Sequence, residues 1–413
     1  MRFCMVTTYY PPYHFGGDAV FVQELARDLA ARGHHAEVIH CEDAFRVGKG
    51  ESPSPPVPAC HTGEDGVTVH RLHSALGLLS PLITQQTGRP GLKHAEIRRI
   101  LDRGFDVVNY HNISLVGGPG ILALGNAAAK IYTLHEHWLL CPTHIFWKNG
   151  NEACVERTCF RCSIRSGIPP QLWRYTSLSR QALRHADVLL SPSAYTARQH
   201  AEAGLGRRIE VLNTYSSVEA PEESSPLPGR PRFLFAGRVT ASKGVHWLVE
   251  QFSKLPQYDL DIAGQGDLLE PLKRRYLSCH WIRFLGVVRH DEIANRYAGA
   301  TALILPSLAP EVFPLCVLEA FACGTPAIVS AAGGTPESVE AGGAGFVYRG
   351  EEGFHAAVSQ LANQPGLRER MGTLARAAYR QRYTRERYIT AYLKIAREII
   401  ASKEKRATME AGS

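Results

Sequence analysis

The chain has 413 residues, 45% apolar and 21% charged, with a formal charge of +7. That length asks for two cores rather than one. No apolar run reaches the length of a membrane span, and "MRFCMVTTYY" is too short and too polar for a signal peptide, so the expected location is cytoplasmic. The mild positive charge suits anionic small molecules or an anionic membrane surface, and nothing in the pattern points to nucleic acid.

Strand-like and helix-like segments alternate almost throughout. "FCMVTT" (3–8) reads as a strand, "PPYHFGGD" as a loop, and "AVFVQELARDLAARG" (19–33) as a helix closed by Gly33. Further strands are expected at 36–40, 67–72, 105–111, 129–135, 187–192 and 209–213. Residues 216–231, "SSVEAPEESSPLPGRP", lose all apolar period and read as a linker. Alternation resumes with strands at 232–237, 260–264, 282–286, 302–306 and 326–330, and helices near 244–254, 267–278, 291–298, 315–323 and 352–362. The pattern predicts two doubly wound α/β domains, 1–215 and 232–383, each a mainly parallel sheet. A last amphipathic helix, 384–405, is expected to pack back toward the first domain, and "RATMEAGS" is expected to lack order. Ligands of such sheets bind beyond the strand C-termini, so the loops there are where chemistry is sought.

Each of those loops in the second half carries suggestive groups. "RVTASKG" sets Arg238 and Lys243 among small residues, which suits a diphosphate as well as it suits a solvated basic loop. "AGQGD" offers Gly264 and Gly266 for a tight turn or a close ligand. "PSLAPEVFPLCVLEAFACGTP" places Ser307, Glu311, Phe313 and Leu315 on a loop and helix start, with Glu319 about one turn into the helix. A carboxylate there can hold two ribose hydroxyls or simply favour the helix N-terminus. In "AAGGTPE", Gly333 and Gly334 expose backbone N–H groups before a helix, a weak anion signal.

Four cysteines cluster as Cys141, Cys154, Cys159 and Cys162, separated by twelve, four and two residues. This spacing favours a structural zinc site in the insert 141–162, with His137 or His144 as a substitute ligand; ordinary thiols and a disulfide pair are the alternatives. Beyond it, Arg165, Arg174, Arg180 and Arg184 lie beside Leu172, Trp173 and Tyr175. That stretch reads as an ordinary exposed helix, as a peripheral contact with the inner face of an anionic membrane, or as part of an acceptor pocket.

Taken together, "GRVTASKG", "AGQGD", the long glutamate-bearing stretch and "GGTPE", in this order on successive strands, resemble the retaining glycosyltransferases of family 4. "YYPPYHFGGDAVFVQELARDLAARGHHAEVI", "DVVNYHN" and "YTLHEHW" extend the resemblance into the first half, so it covers nearly the whole chain. It implies a GT-B architecture: two Rossmann-like domains facing across a cleft, the first taking the acceptor and the second a nucleotide sugar. Glu319 would bind the ribose, Glu311 the transferred sugar, and Arg238 and Lys243 the departing diphosphate, without a catalytic metal. Gly16 and Gly17 would approach the phosphates or acceptor, and His135 the donor sugar. His111 is a second cleft candidate or a structural histidine.

The resemblance further implies front-face displacement, since no enzyme nucleophile is evident. A UDP-linked hexose or N-acetylhexosamine is the expected donor; a glycan, a lipid-linked glycan or a small molecule is the expected acceptor. Where the family often has Gly, this chain has Pro314, which removes one N–H and could shift donor preference. A nucleotide-sugar epimerase and a non-catalytic zinc-containing scaffold are the competing readings.

Overall fold

A computed structural model describes residues 1–49, 58–221 and 229–411. The chain divides into two compact units, one of Met1–His144, Thr158–Leu212 and Tyr388 onward, the other of Ile145–Arg157 and Asn213–Arg387.

In the first unit the strands are β1 (Arg2–Val6), β2 (His35–Cys41), β3 (Cys60–Thr62), β4 (Thr68–Leu72), β5 (Val107–Tyr110) and β6 (Ala129–Thr133). The two-residue strands β7 (Trp147–Lys148) and β8 (Glu152–Ala153) pair with each other and belong to the second unit, and β9 (Val188–Ser191) and β10 (Ile209–Val211) complete the first. The sheet order is β10-β9-β6-β5-β1-β2-β4-β3, parallel except for β3. β5 and β6 are buried along their length, as expected where helices cover both faces of a parallel sheet.

The helices are α1 (Gly17–Ala31), α2 (Glu42–Lys49), α3 (Leu79–Thr87), α4 (His94–Leu101), α5 (Cys159–Arg165), α6 (Leu178–Leu183) and α7 (Ala194–Glu202). α1 buries Phe21, Val22, Leu25 and Leu29, one helical stripe. It ends where Gly33, at φ 77°, turns its N–H back to the Ala30 carbonyl, 2.9 Å.

The second unit holds β11 (Arg232–Ala236), β12 (Asp259–Ala263), β13 (Ile282–Gly286), β14 (Ala302–Leu305), β15 (Ala327–Ser330) and β16 (Gly345–Tyr348), all parallel in the order β13-β12-β11-β14-β15-β16. Its helices are α8 (Val245–Ser253), α9 (Leu269–Arg275), α10 (His290–Ala298), α11 (Leu315–Ala322), α12 (Thr335–Glu340), α13 (Gly350–Asn363) and α14 (Pro365–Arg382). Phe233, Phe235, Phe252, Phe321 and Phe354 are fully buried there, each contributing about 1.5–3 kcal/mol by leaving water. α11 and α14 pack closely, with Gly372 against the Gly324 carbonyl.

The segment expected as a linker, 216–231, begins inside this unit. Val218 is in the core and the Ser216 carbonyl accepts from the Tyr379 hydroxyl at 2.9 Å, while 222–228 lie outside the described residues. The final helix, α15 (Arg385–Ala411), runs past the expected 405, so helix replaces the disorder expected for 406–411. In the first unit Tyr392 lies against Phe3 and Tyr388 edge-on to Phe21, and Lys403 donates to Asp187 at 2.7 Å.

Candidate active site

In the second sheet β11 is flanked by β12 on one side and β14 on the other, so strand order reverses there. Loops leaving the two sides of such a reversal part and leave a crevice at the strand C-termini. Arg238 and Lys243 follow β11, and Ser307 and Glu311 follow β14.

These loops are stitched to one another. Leu308 and Ala309 N–H both donate to the Ser242 carbonyl, at 2.9 and 3.0 Å, and the Ser330 hydroxyl donates to the Ser307 carbonyl at 2.7 Å. Gly334 N–H donates to the Glu311 carbonyl at 2.7 Å. Gly333 sits at φ 69°, and a Cβ there would strike the Glu311 backbone. Gly264 makes a similar approach: a Cβ would strike the Gly237 carbonyl, and one on Gly266 the Val239 carbonyl. The first duty of these glycines is backbone-on-backbone contact.

Glu311 is the focus. Its Oε1 accepts from Lys243 Nζ at 2.6 Å and from the Ser307 hydroxyl at 2.6 Å. Burial works against its charge, but the Lys243 ammonium, those two bonds and the Arg238 guanidinium hold its pKa below the ordinary carboxylate value. Lys243 is also mostly buried, whereas Arg238 is exposed. An ammonium carries three donors and Glu311 takes one, so Lys243 retains donors for an anion.

Glu319 lies in the second turn of α11, and its Oε2 accepts from the buried Tyr297 hydroxyl at 2.6 Å. Burial raises the Tyr297 phenol well above its usual range, with Glu319 adding to it, so the phenol stays a donor. Tyr297 carries no sequence signal of this role, standing as one aromatic residue on an amphipathic helix. Pro314 is the N-cap of α11 at φ −80°, a backbone angle that suits proline, and no side chain caps the helix. The Phe313 side chain is in the core against Tyr383, so only its backbone is available to a ligand; Leu315 is half-buried.

The first sheet reverses order between β1 and β5. Gly16 caps α1 after β1, with Gly17 and Asp18 opening the helix. His111 follows β5 and His135 follows β6, with His111 Nδ1 2.9 Å from His135 Nε2 and the rings stacked. One of these nitrogens donates its N–H and the other accepts, so a single hydrogen bond joins the two rings. Burial pushes His135 down to about 4, with Asp18 opposing; burial and then His135 push His111 well down. Both rings are neutral at pH 7. His111 is buried and orients His135, whose ring also meets Phe21 edge-on.

The zinc expectation is corrected. Among the described residues no group of three or more His, Cys, Asp or Glu is placed to hold a metal ion. Three of the thiols turn to local partners: Cys141 to the Thr143 hydroxyl at 3.1 Å, Cys154 to the Glu156 carbonyl at 3.6 Å and Cys162 to the Ser166 hydroxyl at 3.9 Å. Cys159 joins none of them in a ligand set. His144 bonds Glu136 at 2.7 Å and His137 meets Thr196 at 3.2 Å. Nearby, Arg174 lies over both Trp173 and Trp138, and burial lowers its pKa to about 10.

Residues 16–214 match the glycosyl transferase 4-like domain and 218–378 match glycosyl transferases group 1. The chain belongs to the group 1 glycosyltransferases. It is 29% identical to a glycogen synthase of Mycobacterium tuberculosis over 93% of this chain and 90% of that one. Among solved structures, a sucrose-phosphate synthase from Thermosynechococcus elongatus superposes with a TM-score of 0.74 at 17% identity, over 97% of this chain and all of that one. Anabaena HepE in complex with UDP-glucose superposes with a TM-score of 0.62 at 19% identity, over 98% of this chain and all of that one. The fold is GT-B, and this group 1 glycosyltransferase is an enzyme of sugar transfer. Among the described residues no helix is long and apolar enough to cross a membrane.

Proposed function

We propose that this glycosyltransferase moves a hexosyl or N-acetylhexosaminyl group from a UDP-linked donor, held by the second unit, to a hydroxyl of an acceptor taken by the first, with retention at the anomeric carbon. The observation that carries the donor site is Glu311 bound by Lys243 and Ser307 at the strand-order reversal, with Arg238 beside it. In this reading Arg238 and Lys243 take up the charge that develops on the departing diphosphate. Glu311, held ionised, accepts hydrogen bonds from the transferred sugar, and Glu319, oriented by Tyr297, accepts from the ribose. Gly16, Gly17 and the His111-oriented His135 serve the sugar or the acceptor. UDP is favoured because HepE is a protein of this fold seen with UDP-glucose.

Retention follows from front-face displacement. The bond from the anomeric carbon to the phosphate oxygen breaks, the acceptor oxygen bonds to that carbon on the same face, and its proton passes to the departing phosphate oxygen. Glu311 suits orientation better than nucleophilic attack, since its Oε1 is already committed to two short hydrogen bonds. No metal is called on.

The test is UDP release from UDP-glucose and UDP-N-acetylglucosamine, with the anomer of the product read by NMR. Release with retained configuration, lost in Glu311→Gln, is expected. An inverted product would overturn the mechanism, and a Glu311→Gln enzyme of full activity would overturn the role of Glu311.

A further inference from the structure

Helix α3 is inside out. Ser80 and Thr84 are fully buried, whereas Leu79 and Leu82 are 53% and 44% exposed. The polar face is satisfied within the fold: Lys93 Nζ donates to the Ser80 hydroxyl at 2.6 Å, and Gln85 Nε2 to the Pro169 carbonyl at 2.8 Å. A helix covering a water-facing domain normally turns its leucines inward, so the outward leucines need another solvent.

This face does not end with α3. Leu78, just before it, is also exposed. The Trp173 indole N–H donates to the Gln85 carbonyl at 2.8 Å, joining α3 to a 3-10 turn over Leu172–Tyr175. Trp173 and Arg174 turn inward there, while Leu172 and Tyr175 are each 61% exposed. The Tyr175 hydroxyl lies against the backbone of Phe160, whose ring is exposed too.

Along the sequence these two segments carry charge of one sign. Residues 66–95 and 158–186 contain no Asp or Glu, although the chain averages almost one per ten residues. Arg89, Arg161, Arg165, Arg180 and Arg184 are all exposed. α3 follows β4, and the 3-10 turn follows β6, so both leave the carboxyl edge of the sheet that also carries His111 and His135.

We propose that α3 and the Leu172–Tyr175 turn form a docking face for an anionic lipid bilayer. The leucines and aromatic rings enter the headgroup–acyl boundary and the exposed arginines meet lipid phosphates. Resting on the reading of the first unit as the acceptor side, the acceptor class is then a glycan or hydroxyl compound carried on a membrane lipid.

The full chain is sedimented with vesicles of phosphatidylcholine alone and of phosphatidylcholine mixed with phosphatidylglycerol. Binding to the mixed vesicles is expected at least tenfold tighter than to the neutral ones, and weaker as salt rises. Leu79→Gln with Leu82→Gln is expected to weaken it at least tenfold, and Arg180→Gln with Arg184→Gln several-fold, with melting temperature and UDP binding unchanged because these side chains are exposed. No binding to the mixed vesicles, equal binding to both, or binding indifferent to both double variants would overturn the proposal. Vesicle binding that persists in a chain that binds no nucleotide would sustain this docking face while the donor reading failed.

Discussion

The two units place loops at the same topological point, charged in one and neutral in the other. In the second, a lysine and a serine hydroxyl both donate short hydrogen bonds to one carboxylate, with an exposed arginine beside them. In the first, two stacked histidines joined by one hydrogen bond stay neutral. The fold supplies the crevice in both cases and the loops supply the chemistry. The charged loops suit a leaving diphosphate, whereas the neutral pair suits hydroxyl groups whose charge does not change.

The contrast can be broken most sharply at Glu311. Replacing it with Ala is expected to lower turnover about 100-fold or more, read as UDP release, because the proposed donor site would lose a preorganised group aimed at the reacting sugar. Arg238→Ala is expected to cost roughly 10- to 100-fold in turnover while leaving the melting temperature nearly unchanged, since the side chain is exposed. A comparable fall in melting temperature would make Arg238 structural.

The histidine pair gives the matching test in the first unit. His135 titrates near 4 in the folded chain and near 6.5 unfolded, so between those values the unfolded state binds more protons. Its contribution is therefore fully present above pH 6.5 and lost as pH falls through about 4. A loss of roughly 1–3 kcal/mol is expected between pH 7 and 4.5, measured by urea unfolding, and it should shrink in His135→Phe. Stability that rises on acidification over that range would contradict the neutral pair.

Smaller effects sharpen the second unit. Tyr297→Phe is expected to weaken nucleotide binding a few-fold, about 1 kcal/mol, by freeing Glu319 from its hydrogen bond. Chelation with EDTA is expected to leave the melting temperature unchanged; a large drop would restore a metal to the cysteine-rich insert.

Much of this was legible in the sequence, because alternation of apolar runs reports a parallel sheet directly. Loop residues after each strand were legible for the same reason, since strand C-termini converge. Other features needed the fold. Tyr297 acts through an oxygen on a helix that follows it by twenty-two positions, a contact no periodicity encodes. α14 escaped because its buried face uses Gly372, Ala375 and Ala378 with Arg368, not a leucine stripe. The cysteines misled because spacing along the chain says nothing of where each sulfur points. The inside-out character of α3 was also hidden, since its leucines look like any core stripe until burial is known.

The most direct measurement of the central claim is calorimetric titration of UDP, GDP, ADP and dTDP, free and sugar-linked, into the wild-type chain and Glu319→Ala. The proposed donor site predicts selective binding of the uridine nucleotides, lost or strongly weakened in the variant. Binding of none of them to folded protein, or binding that ignores Glu319, would contradict it.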